Sequence, residues 1–159
     1  MAVIALCQFD LTRCFGYPYT KDKGASLGAP LIDHLVGTYE NPPRSTVAQA
    51  YDFIIETLEE AVTLMSEEKN NGRMNKYAAR ALLARIYLYH DDNRKAFDLA
   101  DQLIKDADTS GSYALYPHEK YVAAWSVEAK FGSESFFEIA NSVDDTPGRD
   151  SWGYLLNWY

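Results

Sequence analysis

The residues best suited to chemistry lie toward the end of the chain. Asp144-Asp145-Thr146-Pro147-Gly148-Arg149-Asp150 is a polar loop sequence that runs into Trp152, Tyr154, Trp158 and Tyr159. Sugars bind proteins by stacking their C–H faces on aromatic rings, while carboxylates, guanidinium groups and amides bond the hydroxyls. Arg149, Asp150, Trp152, Tyr154 and Trp158 therefore form a candidate ligand-binding set, and the chemistry they offer is recognition without bond breaking. The competing reading is that these aromatics simply pack beneath neighbouring segments. Tyr17, Tyr19 and Tyr39, in an irregular stretch near the start, are a second set of the same kind.

Nothing in the sequence has the spacing of a catalyst. There is no phosphate-binding glycine loop, no H-E-x-x-H, no G-x-S-x-G and no paired C-x-x-C. Glu59-Glu60 and Glu67-Glu68 are adjacent acidic pairs. A glycosidase needs two carboxylates about 5–10 Å apart across a sugar, and neighbours on a helix point apart, so these read as solvated. His34, His90 and His118 are far apart in sequence, and none has a second His at helical spacing. No metal and no cofactor is expected; His90 suits the negative end of a helix dipole. Asp91-Asp92-Asn93 lacks the Gly and distal Glu of a calcium loop and reads as a turn and helix cap.

Composition narrows the classes further. At 159 residues one domain is expected, and a net charge of -8 repels phosphate backbones. There is no basic run for an anionic membrane surface, and no apolar stretch reaches the ~18 residues needed to span a bilayer. The apolar start, Met1 to Cys7, lacks a basic leader and continues through Gln8, Asp10 and Arg13, so it reads as a core helix rather than a signal peptide. Cys7 and Cys14 are seven residues apart, about 10 Å along a helix at ~1.5 Å per residue, too far to bridge. They are expected to be small buried hydrophobes.

The elements that would position these residues are helical. An apolar helix is expected from Ala2 to Phe15, stopped by Gly16 with Pro18 beyond, and buried on most sides. Residues 16–44 hold glycines and prolines throughout and read as a long irregular insertion, packed down by Leu27, Leu31, Ile32, Leu35 and Val36. Val47, Tyr51, Ile54, Leu58, Ala61 and Met65 recur at helical spacing opposite Gln49, Asp52, Glu56, Glu59 and Thr63, behind a Thr46/Gln49 capping box. A third helix runs from Lys76 to Tyr89 with Asn75 as cap. A fourth runs from Arg94 to Asp106 with Ala96, Phe97, Ala100, Leu103 and Ile104 on its apolar face. The short link His90-Asp91-Asp92-Asn93 forces these two into an antiparallel hairpin. Beyond Ala107 periodicity is lost. Tyr113 to Leu115 suggests a short extended piece, Tyr121 to Trp125 a helical turn, and Ser135 to Ile139 a buried turn or strand. The uncapped apolar end, Trp152 to Tyr159, suggests truncation.

Leu83-Ala84, Tyr87 and Ala96 match the small and aromatic positions of a tetratricopeptide hairpin, with Ala100 and Leu103 as departures. The first two helices would form the preceding hairpin, with 16–44 inserted at its turn. Several further blocks occur in one order. They are Phe9-Asp10-Leu11, Phe15-Gly16, Pro18-Tyr19, Leu27-Gly28-Ala29-Pro30-Leu31, Arg44-Ser45-Thr46-Val47 with Tyr51 and Leu58-Glu59-Glu60-Ala61, and Gly72-Arg73 with Lys76. Ala78 to Leu88, Tyr113 with Leu115, Ser133-Glu134 and Phe137-Glu138-Ile139 complete the series. Over roughly residues 2–140 the chain resembles the SusD/RagB family.

The resemblance implies an all-α fold of tetratricopeptide-like hairpins, with a scaffold at 1–107 and an irregular, aromatic-rich segment at 108–159 that begins a truncated ligand-binding region. It further implies a longer, non-catalytic lipoprotein on the outer membrane, reaching the membrane only through a lipid anchor that this chain lacks. Such proteins capture an oligosaccharide or polysaccharide, or another nutrient, for a TonB-dependent, SusC-like transporter; nucleic acid is not expected as a partner. The alternative is a tetratricopeptide scaffold that binds protein and no sugar.

Overall fold

A computed structural model of the chain describes residues 1–69, 72–125 and 131–139. Among these, the main elements are α1 (Ala2–Phe15), α2 (Val47–Leu64), α3 (Lys76–Tyr89) and α4 (Asn93–Ser110). A two-stranded ribbon, β1 (Leu27–Pro30) and β2 (Arg44–Thr46), interrupts the first hairpin. It is antiparallel, with Leu27 opposite Thr46 and Pro30 opposite Arg44 and an irregularity between them. α1 packs on α2, α2 on α3 and α3 on α4, so two helical hairpins stack in sequence order as the all-α reading expects.

Local chemistry explains each boundary. Thr46 and Gln49 cap α2 reciprocally: the Thr46 hydroxyl accepts the Gln49 N–H at 3.1 Å, and the Gln49 amide oxygen accepts the Thr46 N–H at 2.9 Å. Val47, Tyr51, Ile54, Leu58 and Ala61 then bury one face. Asn75 caps α3, whose alanines let α2 and α4 approach from both sides, so Tyr77, Ala79, Leu83, Ile86 and Tyr87 are all buried. Asp91 adopts a left-handed conformation (φ 70°) and the Asp92 carboxylate accepts the Lys95 N–H at the start of α4. This reverses the chain within a few residues. α4 runs to Ser110, four residues past the expected end, and stops at Gly111 with φ 66°.

Two apolar clusters result. The larger contains Phe9, Val47, Tyr51, Ile54, Leu58, Leu83 and Ile86. The smaller joins Tyr77, Leu103, Ala107 and Tyr113, with Phe136 packed against it. α3 contributes to both. Phe136 lies in a turn-rich stretch, and single 3₁₀ turns occupy His118–Lys120 and Ala123–Trp125.

Four expectations need correction. α1 is not buried on most sides: Ala2, Ala5, Gln8, Phe9 and Thr12 face the core, while Val3, Ile4, Leu11 and Phe15 are exposed. Its main neighbours among the described elements are α2, α3 and β1, and its outer side is left open. For the same reason Cys7 and Cys14 are exposed rather than buried. On α4 the buried residues are Ala96, Leu103 and Ala107, whereas Phe97 and Ile104 face outward, because α3 covers one side of that helix. The insertion is also more ordered than a packed loop, yet Leu35 is 96% exposed.

Candidate functional site

Gly16 is where α1 hands over to the insertion. A β-carbon there would stand 2.7 Å from the Thr12 carbonyl oxygen and 2.9 Å from a Val47 methyl, so only glycine lets the chain turn so close to both helices. Tyr17, Pro18 and Tyr19 follow. Gly24, with φ 75°, brings the strand back, its carbonyl accepting the Ala48 N–H at 2.9 Å. The ribbon is tied down by side chains. Gln8 donates from Nε2 to the Pro30 carbonyl at 3.1 Å and receives the Ile32 N–H at 3.5 Å, while Arg44 donates to the carbonyls of Gly28 at 2.7 Å and Leu27 at 2.9 Å.

This handover sets Tyr19 edge-on against Tyr51, with ring centroids 5.6 Å apart at 79°. Phe9 stands edge-on to Tyr51 at 6.3 Å and to Tyr89 at 5.4 Å. Arg13, Tyr17, Pro18, Tyr19, Tyr51 and Tyr89 line a cleft of about 310 Å³, at the lower end of the roughly 300–1,000 Å³ typical of small-molecule sites. The hydroxyls of these tyrosines make no hydrogen bond to any described residue. Tyr51 is only 3% exposed. Burial pushes its phenol up to about 12, Arg13 opposes the rise and Tyr89 adds to it, so the group is a proton donor at neutral pH.

Cations border the rings. The Arg13 guanidinium lies 5.1 Å from the Tyr89 centroid and 5.3 Å from that of Phe9. Lys21 Nζ lies 3.0 Å from the Tyr17 centroid. His90 lies tilted against both tyrosines, 4.2 Å from Tyr19 and 5.5 Å from Tyr51, with its Nδ1 buried and without a partner among the described residues. The arrangement offers apolar ring faces, phenolic hydroxyls and a guanidinium, which are the means of recognising a polyol.

Of the residues singled out from sequence, Tyr17 and Tyr19 come together here, whereas Tyr39 is 96% exposed and apart from the cleft. Arg149, Asp150, Trp152, Tyr154 and Trp158 lie outside the described residues. One member of each acidic pair serves the scaffold: Glu59 on α2 accepts the Tyr87 hydroxyl at 2.5 Å, and Glu67, just beyond α2, pairs with Lys76 at 3.3 Å. Sequence reasoning missed Arg13, Tyr51 and Tyr89. Each reads as an ordinary helical residue, and the one available signal was a tyrosine placed at the very end of α3 and another in the first turns of α2.

Comparison with known proteins agrees with this layout. A SusD-like family model, described as starch-binding associating with outer membrane, matches residues 2–88, from α1 through all but the last residue of α3. A SusD superfamily protein from Bacteroides thetaiotaomicron matches with a TM-score of 0.82 and 40% identity over 91% of this chain and 30% of its own. A Bacteroides vulgatus protein named as a candidate sugar binder matches with a TM-score of 0.88 and 43% identity over 97% of this chain and 35% of its own. A SusD-like carbohydrate binding protein from the same species, 23% identical with a TM-score of 0.74 over 91% of this chain and 30% of its own, shares the fold. No curated protein matches the sequence. The chain spans about a third of the length of the solved structures it matches. With the family model covering residues 2–88 of 159, the chain belongs to the SusD-like family, whose description is starch-binding and associated with the outer membrane.

Proposed function

We propose that the chain is part of a non-catalytic glycan-capture lipoprotein of the outer-membrane surface, which holds a polysaccharide for delivery to a TonB-dependent transporter. The observation that carries this reading is the family match across residues 2–88, which spans every cleft-lining residue named above except Tyr89. The unpartnered tyrosine hydroxyls and open ring faces support it, because they offer a sugar both stacking and hydrogen bonds. In this reading 1–107 is scaffold and contains the cleft. The segment 108–159 opens the larger ligand region, with Arg149, Asp150, Trp152, Tyr154 and Trp158 as further sugar contacts.

Tryptophan fluorescence of the chain, titrated with soluble plant, host and microbial polysaccharides, tests this. A saturable change with one class, reduced by Trp152→Ala or Trp158→Ala, is expected from the C-terminal set. A calorimetric signal reduced by Tyr19→Ala is expected from the cleft. Release of reducing ends from the bound glycan would contradict the non-catalytic reading. If no glycan binds and a peptide partner does, the chain is a protein-binding scaffold instead.

A further inference from the structure

The cleft's surroundings are cationic in an acidic protein. The whole chain carries a net charge of -8. Around the cleft, however, Arg13 and Arg85 both flank Tyr89, their guanidinium carbons 5.1 and 6.0 Å from its ring centroid, and Lys21 sits on Tyr17. Two guanidinium groups near one ring concentrate positive charge beside the cleft, and an anion seated there would offset it. Lys21 and Arg85 form no direct ion pair with a described carboxylate. Arg13 is paired with Asp10 at 3.1 Å, but both side chains are well exposed, at 34% and 55%. A pair of that kind contributes little and yields readily to a competing carboxylate.

A second observation points into the same space. Tyr51 is almost fully buried, lines the cleft, and leaves its hydroxyl without a partner among the described residues. The ring is buried but the hydroxyl is not sealed in the core, so a ligand oxygen in the cleft can take it as a hydrogen-bond partner. Arg13, Tyr51 and Tyr89 line the same cleft, which sets these groups around one place.

We infer that the cleft takes an anionic sugar, a polysaccharide unit bearing a carboxylate or sulfate ester, with the ring against the tyrosines and the anion toward Arg13. This rests on the glycan reading of the cleft and narrows it from sugars in general to charged ones. The planar guanidinium fork matches carboxylate and sulfate oxygens alike. The tyrosine faces hold the C–H side of the ring, and the Tyr51 hydroxyl donates to a ring substituent.

Calorimetric titration of the chain with an oligogalacturonate, with its full methyl ester and with a sulfated oligosaccharide tests the inference. The ester keeps every ring and removes every charge. The expected result is saturable binding of at least one charged ligand, weakened as added salt shortens the screening length. The uncharged form should bind about tenfold or more weakly. Arg13→Gln should remove most of that preference and Arg13→Lys only part of it, while Lys105→Gln on α4 leaves it unchanged. Arg85→Gln, at an exposed position where folding is not at risk, should reduce the preference by a smaller factor. Equal, salt-independent binding of the ester overturns the charge inference and leaves glycan capture standing. Absence of saturable binding by any of the three, charged or neutral, overturns both for this cleft. Binding of a charged ligand that survives Tyr19→Ala combined with Arg13→Gln places the ligand elsewhere and also overturns it.

Discussion

Single side chains settle more of this structure than their types suggest. Asn75 is 4% exposed and uses its whole amide. Its oxygen accepts the Ala78 N–H at 3.0 Å, and its nitrogen donates to the Glu68 carbonyl at 3.2 Å and the Tyr113 hydroxyl at 2.7 Å. Aspartate caps a helix as well as asparagine does, but it would turn both donors into acceptors facing the Glu68 oxygen. Asn75→Asp should therefore lose about 2 kcal/mol or more despite an intact cap; a neutral result in urea unfolding would show that the cap alone matters. The tyrosines give a paired prediction. Tyr51→Phe removes a hydroxyl without a protein partner and should shift stability by less than about 0.5 kcal/mol. Tyr87→Phe removes a 2.5 Å bond to Glu59 and should cost about 1 kcal/mol. Thermal unfolding of both variants decides whether they rank so. The cap role of Asn75 was legible because an asparagine directly precedes a helical run. Its bond to Tyr113 was not, because that partner lies 38 residues on.

At the scale of elements, what was legible depended on range. The α2 boundary is written locally, in Thr46, Gln49 and the four-three apolar spacing, and the structure reproduces it. The ribbon is not, because strands of three and four residues containing Gly28 and Pro30 carry no alternating pattern, and the bonds that hold them come from Gln8 and Arg44, 16 to 24 residues away. Beyond the ribbon, His34 latches the insertion: Nδ1 meets Asp33 at 2.6 Å and Nε2 meets Glu40 at 2.7 Å. Hydrogen bonds to Asp33 and then Glu40 raise the imidazole above its ordinary 6.5. Asp33 is held below 3.8, chiefly by His34, and Glu40 below 4.5, chiefly by the Gly37 N–H. The histidine contribution is complete below pH 6.5 and is lost as pH rises through the raised value. The carboxylate contributions are present above 3.8 and 4.5 and are lost as pH falls through the lowered values. The latch is therefore firmest from about pH 4.5 to 6.5 and loosens toward neutrality and above. An NMR titration should place His34 above 6.5, and Asp33→Asn with Glu40→Gln should return it there; an unshifted His34 in the wild-type chain would remove the latch from consideration.

Across the whole molecule, α3 is the common wall of both apolar clusters, which determines how the described parts unfold. Ile86 is fully buried in the larger cluster, and Tyr77, two and a half turns earlier on the same helix, belongs to the smaller. The candidate site was half legible for a related reason: Tyr17 and Tyr19 stand out in an irregular stretch, while Arg13, Tyr51 and Tyr89 arrive from three separate helices whose packing no local pattern states. The same packing predicts two distinct responses to cavities. Ile86→Ala empties a site that α1, α2 and α3 share and should lower one cooperative transition by about 2–5 kcal/mol. Phe136 is only half buried. It holds 131–139 to the body through Tyr77, stacked at 6.4 Å, and Tyr113, at 4.8 Å, alongside Lys69, which donates to the Gly132 carbonyl at 2.7 Å. Few contacts of this kind define a region that opens on its own. Phe136→Ala should therefore speed hydrogen exchange at the amides of Phe131 and Gly132, which bond the Glu138 carboxylate, while leaving those of α2 and α3 near their wild-type rates. Equal acceleration in α2 and α3 would mean that the C-terminal stretch is part of the same cooperative unit, and that the scaffold does not end where α4 does.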